Sequence, residues 1–197
     1  RPWPHGAPDY AVAVRTIRNP NEAADAVAGF VEAGRPVAFD YETTTLKPDG
    51  PHARIVCCSV SDGDTSVAYP WHGEAIKATL DMLQSDVPKW GWNAKFEQRW
   101  LLAKYGIVVN NWQHDGMLAA HVLDNRPGIT SLKFQAFVRL GVGSYDDRIK
   151  PLLGSDNPNS ENRIRDIPLG KLLAYVGMDA LLERKIGGMQ RKELERE

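Results

Sequence analysis

Long apolar runs are missing from this chain. No stretch approaches the ~20 residues that a membrane-spanning helix needs, and the opening Arg1-Pro2-Trp3-Pro4-His5 has no apolar segment behind it to act as a signal. A cytosolic compartment is therefore expected, with no membrane partner. Cysteine is scarce as well. Cys57 and Cys58 are adjacent, where a bridge between neighbours is strained and a metal site would want wider spacing, so both read as reduced filler of a buried strand. Neither GxGxxG nor GxxxxGK(S/T) occurs, which disfavours a dinucleotide fold and a P-loop NTPase. The histidines never pair at HxxxH or HxH spacing, which argues against zinc. An excess of one charge is also lacking. With 24 Lys+Arg against 25 Asp+Glu, the net charge of -1 excludes a broadly basic nucleic-acid wrapper but not a local site.

What is present describes an ordinary globular protein of one domain, at most two. The 197 residues are 43% hydrophobic, and folding a chain of this size buries roughly 70% of its unfolded surface, enough for a core without disulfides or a structural metal. A Pro-rich arm over 1–9 and a single domain over 10–197 are expected. The first residue is Arg rather than Met, so the chain reads as an excised piece or as lacking a disordered start.

Strand and helix signals alternate. Residues 10–14 alternate like a strand. Asn19-Pro20 offers an N-cap and a Pro at N1, with Ala23, Val27, Phe30 and Val31 on one face until Gly34. Residues 36–42 read as a second strand. Residues 52–60 and 65–69, joined through Asp62-Gly63, read as a hairpin, giving three antiparallel strands. A helix is expected over 74–83. Residues 89–92 form a strand that enters a helix N-capped by Asn93. Helices over 115–123, 131–140 and 169–190 follow, the last two separated by a long loop over 141–167 of the kind that often faces substrate. The tail from Arg184 reads as a solvated helix end because its charges are mixed. The fold class is α/β: a mixed sheet with helices on its faces.

Three segments carry candidate chemistry. Asp40 and Glu42 stand two apart in a strand, so both project from the face opposite Val37, Phe39 and Tyr41. Two such carboxylates must take up a proton or share a cation if shielded from water; the plain alternative is a solvated strand end. Glu97 lies at the edge of the apolar stripe of Phe96, Trp100 and Leu101, where a favourable interaction with the helix dipole is the plain alternative. Tyr175 and Asp179 are four apart, stacked on one helical face beside Leu172, Val176 and Ala180; here a structural hydrogen bond is the plain alternative.

In order and spacing, Phe39-Asp40-x-Glu42-Thr43-x-x-Leu46, then Asn93-x-x-Phe96-Glu97, then Tyr175-x-x-x-Asp179, the chain resembles the DEDD superfamily of 3′–5′ exonucleases. It is most similar to the proofreading exonuclease domain of family A DNA polymerases, phage versions above all, through Asp115-Gly116-Met117-Leu118 and Gly128-Ile129-Thr130-Ser131-Leu132-Lys133. The resemblance spans about residues 10–187. It implies a ribonuclease H-like fold and two divalent cations, Mg²⁺ or Mn²⁺, with Asp40, Glu42, Glu97 and Asp179 at ligand positions and Tyr175 orienting or helping to deprotonate the attacking water. Thr43, Leu46, Asn93 and Tyr145 are implied to bind substrate. Leu46 would wedge against a terminal base, and Tyr145 would contact the terminal nucleotide unless it is simply an exposed loop aromatic. Glu97 departs from the family pattern, which usually has Asp there. Asp115 reads as a helix cap, with substitute ligand as the alternative.

The function implied is removal of nucleotides from single-stranded or frayed 3′ ends of DNA, for proofreading or end processing. The chain leaves no room for a polymerase, which would be an attached remainder or a separate partner. If phage-encoded, the protein would act in the host cytoplasm. RNA trimming like that of ribonuclease D, or a non-cutting nucleic-acid-binding domain of a polymerase, are the alternatives. Lys95, Lys133 and Arg148 are local bases that would guide the strand.

Overall fold

The structure, a computed structural model, describes residues 8–145 and 147–196. The arm expected over 1–9 thus lies mostly outside the described residues. A six-stranded sheet organises the chain in the order β1-β4-β3-β2-β5-β6. Its strands are β1 Val14–Thr16, β2 Val37–Thr43, β3 Ile55–Ser61, β4 Ser66–Pro70, β5 Lys89–Gly91 and β6 Trp112–Asp115. β3 runs antiparallel to β2 and β4, while β1–β4, β2–β5 and β5–β6 are parallel. The sheet is therefore mixed, as expected. The β3–β4 turn uses Gly63 at φ +93, and the Asp62 carboxylate accepts from the Asp64 and Thr65 amides at 3.0 and 2.9 Å. That geometry closes the hairpin without a Cβ clash at the turn.

Helices cover both faces. On one side, α1 (Pro20–Ala33), α2 (Glu74–Gln84) and α3 (Ala94–Tyr105) bury Ala23, Val27, Phe30, Met82, Leu83, Trp100 and Leu101 against Val37, Phe39, Tyr41, Cys58 and Val60. Asn19 caps α1 through its side chain and Gly34 ends it in the left-handed region, both as the sequence predicts. On the other side lies the 26-residue α7 (Leu169–Leu194), flanked by α4 (Gly116–Leu123) and α5 (Leu132–Leu140).

The α7 side of the sheet is lined with small residues, because period-2 alternation sends Ala38, Cys57, Ser59, Ser61, Ser66 and Ala68 that way. Backbone approach is close. A Cβ on Gly177 would lie 2.4 Å from Val14 Cγ1 and 3.3 Å from Ala68 Cβ. Ser59 Oγ donates to the Val176 carbonyl and Ser66 Oγ to the Gly177 carbonyl, each at 2.8 Å. The buried hydroxyls thus spend their donors on the helix rather than going unpaired.

Several local expectations need correction. Residues Tyr10–Ala13 form a 3₁₀ turn, with the Asp9 carboxylate accepting from the Ala11 amide, and the strand is confined to Val14–Thr16. The strand expected from His52 begins at Ile55, because Thr44 Oγ1 donates to the His52 carbonyl and accepts from the Arg54 amide, diverting that backbone into a loop. β6 was not foreseen; its polar Gln113 and His114 do not alternate like a half-buried strand. The 141–167 segment contains a short helix α6 (Lys150–Leu153) and a 3₁₀ turn at Ile164–Asp166. The tail beyond Arg184 is only partly solvated: Ile186, Gly187 and Gln190 are buried, and the Arg184 guanidinium sits 4.0 Å over the Trp90 ring. Cys57 and Cys58 are free and buried.

Candidate active site

β2 delivers the first two acids. Val37, Phe39 and Tyr41 enter the α1–α3 core, so Asp40 and Glu42, which alternate with them, face α7. Asp40 pairs with Ser59 of β3, whose hydroxyl reaches α7, so the strand carrying the carboxylates and the helix facing them share one hydrogen-bonded link. α7 then presents Tyr175 and Asp179. Carboxylate oxygens of Asp40, Glu42 and Asp179 lie within 4.8 Å of one another. Such a set costs energy through mutual repulsion unless protons or a cation intervene. Burial, then the Asp179 charge, pushes the Asp40 carboxyl up to about 8, with Lys133 opposing. Glu42 is raised by burial and by Asp40.

Lys133, from α5, fills the cationic role in part. Its ammonium and the Tyr145 hydroxyl both donate to Asp179 Oδ1, and the ammonium also donates to the Tyr145 oxygen at 2.9 Å. It lies 4.4 and 4.5 Å from the Tyr145 and Tyr175 ring centroids. One ammonium cannot balance three carboxylates. An all-oxygen donor set of this kind fits Mg²⁺ or Mn²⁺.

The other expected residues collect in the same place. Thr43, Leu46, Asn93, Glu97 and Tyr175 line one cleft of about 360 Å³ with Asp40, Glu42 and Asp179. Leu46 is exposed at its rim, whereas Thr43 is buried with its hydroxyl donating to the Thr45 carbonyl. Tyr145 is no free loop aromatic: its ring packs 6.0 Å from that of Tyr175, and both line a neighbouring hollow with Arg148 and Lys171. Of the three expected guiding bases, Lys133 lines the cleft, Arg148 the adjoining hollow, and Lys95 neither.

Asn93 holds a correction. It adopts φ +69, ψ +51 and its side chain makes no cap bond. The cap comes from Asp115 instead. One oxygen accepts from the Asn93, Met117 and Leu118 amides and the other from Ala94, at 2.9–3.2 Å. A single carboxylate therefore starts both α3 and α4, which leaves the Asn93 side chain turned to the cleft. Glu97, in the first turn of α3, is only 3% exposed. The Tyr41 hydroxyl donates to the Glu97 carbonyl, fixing α3 to the back of the strand that bears Asp40. Burial, then Asp40, raises the Glu97 carboxyl.

Two polar lining residues, Asn162 and Glu183, escaped the sequence. Asn162 donates to the Thr43 carbonyl at 2.9 Å and so ties the long loop to the end of β2. Glu183 is 5% exposed and faces the same cleft. The spacing Tyr175, Asp179, Glu183 was the available signal, since residues four apart share a helical face.

A mixed sheet with carboxylates converging from its central strand β2 and from the long crossing helix α7 places an oxygen-rich donor set in one open cleft. Residues 14–187 match the model of a family described as 3′–5′ exonuclease, and the chain belongs to that family. No curated protein matches it by sequence. Among solved structures it is similar to the catalytic core of RRP6 from Trypanosoma brucei, with TM-score 0.69 and 15% identity over 96% of this chain and 49% of that one. Escherichia coli RNase D gives 0.68 and 14% over 93% and 45%. Brucella melitensis NrnC with bound Mg²⁺ gives 0.64 and 19% over 93% and 83%. The chain spans about half the length of the first two. At these identities the likeness establishes the fold, a ribonuclease H-like sheet with helices on both faces.

Proposed function

We propose that the chain hydrolyses phosphodiester bonds at the 3′ end of single-stranded or frayed DNA, releasing nucleoside monophosphates, with Asp40, Glu42, Glu97 and Asp179 holding two divalent cations. The observation that carries this reading is the convergence of the Asp40, Glu42 and Asp179 oxygens within 4.8 Å in an open cleft. Divalent ions held there would supply activation of a water nucleophile and stabilisation of the leaving 3′ oxygen. The chain's own residues do the rest. Tyr175 keeps its proton, because burial and then Asp179 raise its hydroxyl; it orients the attacking water as a neutral hydroxyl rather than serving as base. Leu46 meets the terminal base at the rim and Asn93 faces the strand. Lys133, which lines the cleft beside Asp179, is placed to meet the phosphate. Preference for DNA is supported by the motif likeness to polymerase proofreading domains, where the polymerase would be a partner or a remainder of the chain.

The test is incubation of 5′-labelled single-stranded DNA and RNA with Mg²⁺ or Mn²⁺, beside Asp40→Ala. A shortening ladder on DNA that the variant lacks is expected. No shortening with either metal, or equal shortening by the variant, overturns the enzyme reading, and faster shortening of RNA overturns the DNA preference.

A further inference from the structure

Two acids in the cleft lie outside the three-carboxylate cluster, and their surroundings leave both incomplete. Glu97 and Glu183 are 3% and 5% exposed, and the Oε2 atom of each is buried with no hydrogen-bond partner among the described residues. They come from different elements, α3 and α7, yet line the same cleft as Asp40. A buried carboxyl retained for packing alone finds a donor or is costly to keep. The nearby groups that could serve are committed elsewhere. The Lys133 ammonium is taken by Asp179 and Tyr145, and the Tyr145 hydroxyl by Asp179.

We propose that Glu183 is a ligand, together with Glu97 and with Asp40 as the shared neighbour, for the second divalent cation of this site. The inference rests on the exonuclease reading and adds a residue to it: the cluster of Asp40, Glu42 and Asp179 accounts for one ion, and the two orphaned oxygens are the donors left for another. Placement agrees. Glu183 stands one turn beyond Asp179 on the same face of α7, and the charges that act on its carboxyl after burial itself are those of Asp40, Glu97 and Asp179, with Lys133 opposing. Oxygen-only donors suit the same hard cations as the first cluster.

The experiment is Mn²⁺ binding to the purified chain, read as stoichiometry and affinity by electron paramagnetic resonance or calorimetry, with melting temperature of the ion-free protein measured in parallel. The wild type is expected to bind two ions. Glu183→Gln, nearly isosteric, is expected to keep one site unchanged and weaken the other at least tenfold, with an ion-free melting temperature no lower than wild type; Glu183→Asp restores part of the loss. A Glu183 with a merely structural role would leave both sites at wild-type affinity, and that result overturns the inference, as does a wild type that binds only one ion. If wild-type protein binds two ions, one of them Glu183-dependent, yet shortens no 3′ end, the exonuclease reading falls while the ligand assignment stands.

Discussion

Replacing Asp115 by Ala removes one carboxylate from two helix starts. In the structure its oxygens accept four backbone N–H bonds, two at the start of α3 and two at the start of α4. Losing an N-cap costs about 0.5–2 kcal/mol per helix. Two helices give roughly 1–4 kcal/mol, and the upper half of that range applies because the acceptor is charged and the site is half-buried, which limits replacement by water. For a chain of this length each kcal/mol lowers the melting temperature by about 2–4 °C, so Asp115→Ala should melt roughly 5–15 °C below wild type. Asp115→Asn keeps one carbonyl oxygen for the three amides served by Oδ1 and loses only the Ala94 bond, so its loss should be about a third as large. Differential scanning fluorimetry and urea titration read both. Mn²⁺ binding through Asp40, Glu42 and Asp179 should persist in the folded variant. A melting temperature within 1–2 °C of wild type together with lost Mn²⁺ binding would refute the double-cap account and make Asp115 a ligand.

Other outcomes follow from the same geometry. Asp40, Glu42, Glu97 and Glu183 are all raised, by burial first and next by a neighbouring carboxylate, Asp179 for Asp40 and Asp40 for the other three, whereas in the unfolded chain they ionise near pH 4. Between there and about 8, where Asp40 titrates, the folded state holds more protons, so stability in EDTA should fall as pH rises. Excess Mg²⁺ or Mn²⁺ should flatten that slope, and a melting temperature that climbs from pH 5 to 8 in EDTA would contradict it. Tyr175→Phe should slow single-turnover cleavage by about ten- to a hundredfold, the worth of one hydrogen bond to a charged centre, with DNA affinity largely kept; an unchanged rate removes the hydroxyl from the reaction. Gly177→Ala should cost about 1–3 kcal/mol from overpacking against Val14, read as a lowered urea midpoint, and wild-type stability would mean that the sheet yields freely there.

The parts of the fold that repeat with a clear period were legible in advance. Asp40 and Glu42 alternate with large apolar residues, so their common face follows from the strand alone. Helix α1 announces itself by Asn19, Pro20 and Gly34. Failures came where one residue type suits two conformations, or where periodicity is lost. Asn is favoured both as an N-cap and in the left-handed region, and only the presence of the Asp115 carboxylate, 22 residues on and on another strand, decides for the latter. Glu183 was hidden because α7 is buried on nearly all sides between residues 172 and 187, so no polar stripe sets it apart from a solvated position. β6 pairs at the sheet edge through backbone bonds, which half-polar side chains do not reveal.

The hydroxyls of Ser59 and Ser66 read consecutive carbonyls of α7, and the missing side chain of Gly177 lets them reach. Together they behave as a detent on a sliding rod. Moving the rod by one residue would advance it only about 1.5 Å, yet would turn every side chain by about 100°, swinging Asp179 and Glu183 out of the cleft. The distance between acids on the strand and acids on the helix is thus set by two alcohols and an absent methyl, none of which bears charge. Alteration in that seam can silence the site while every acid remains in place.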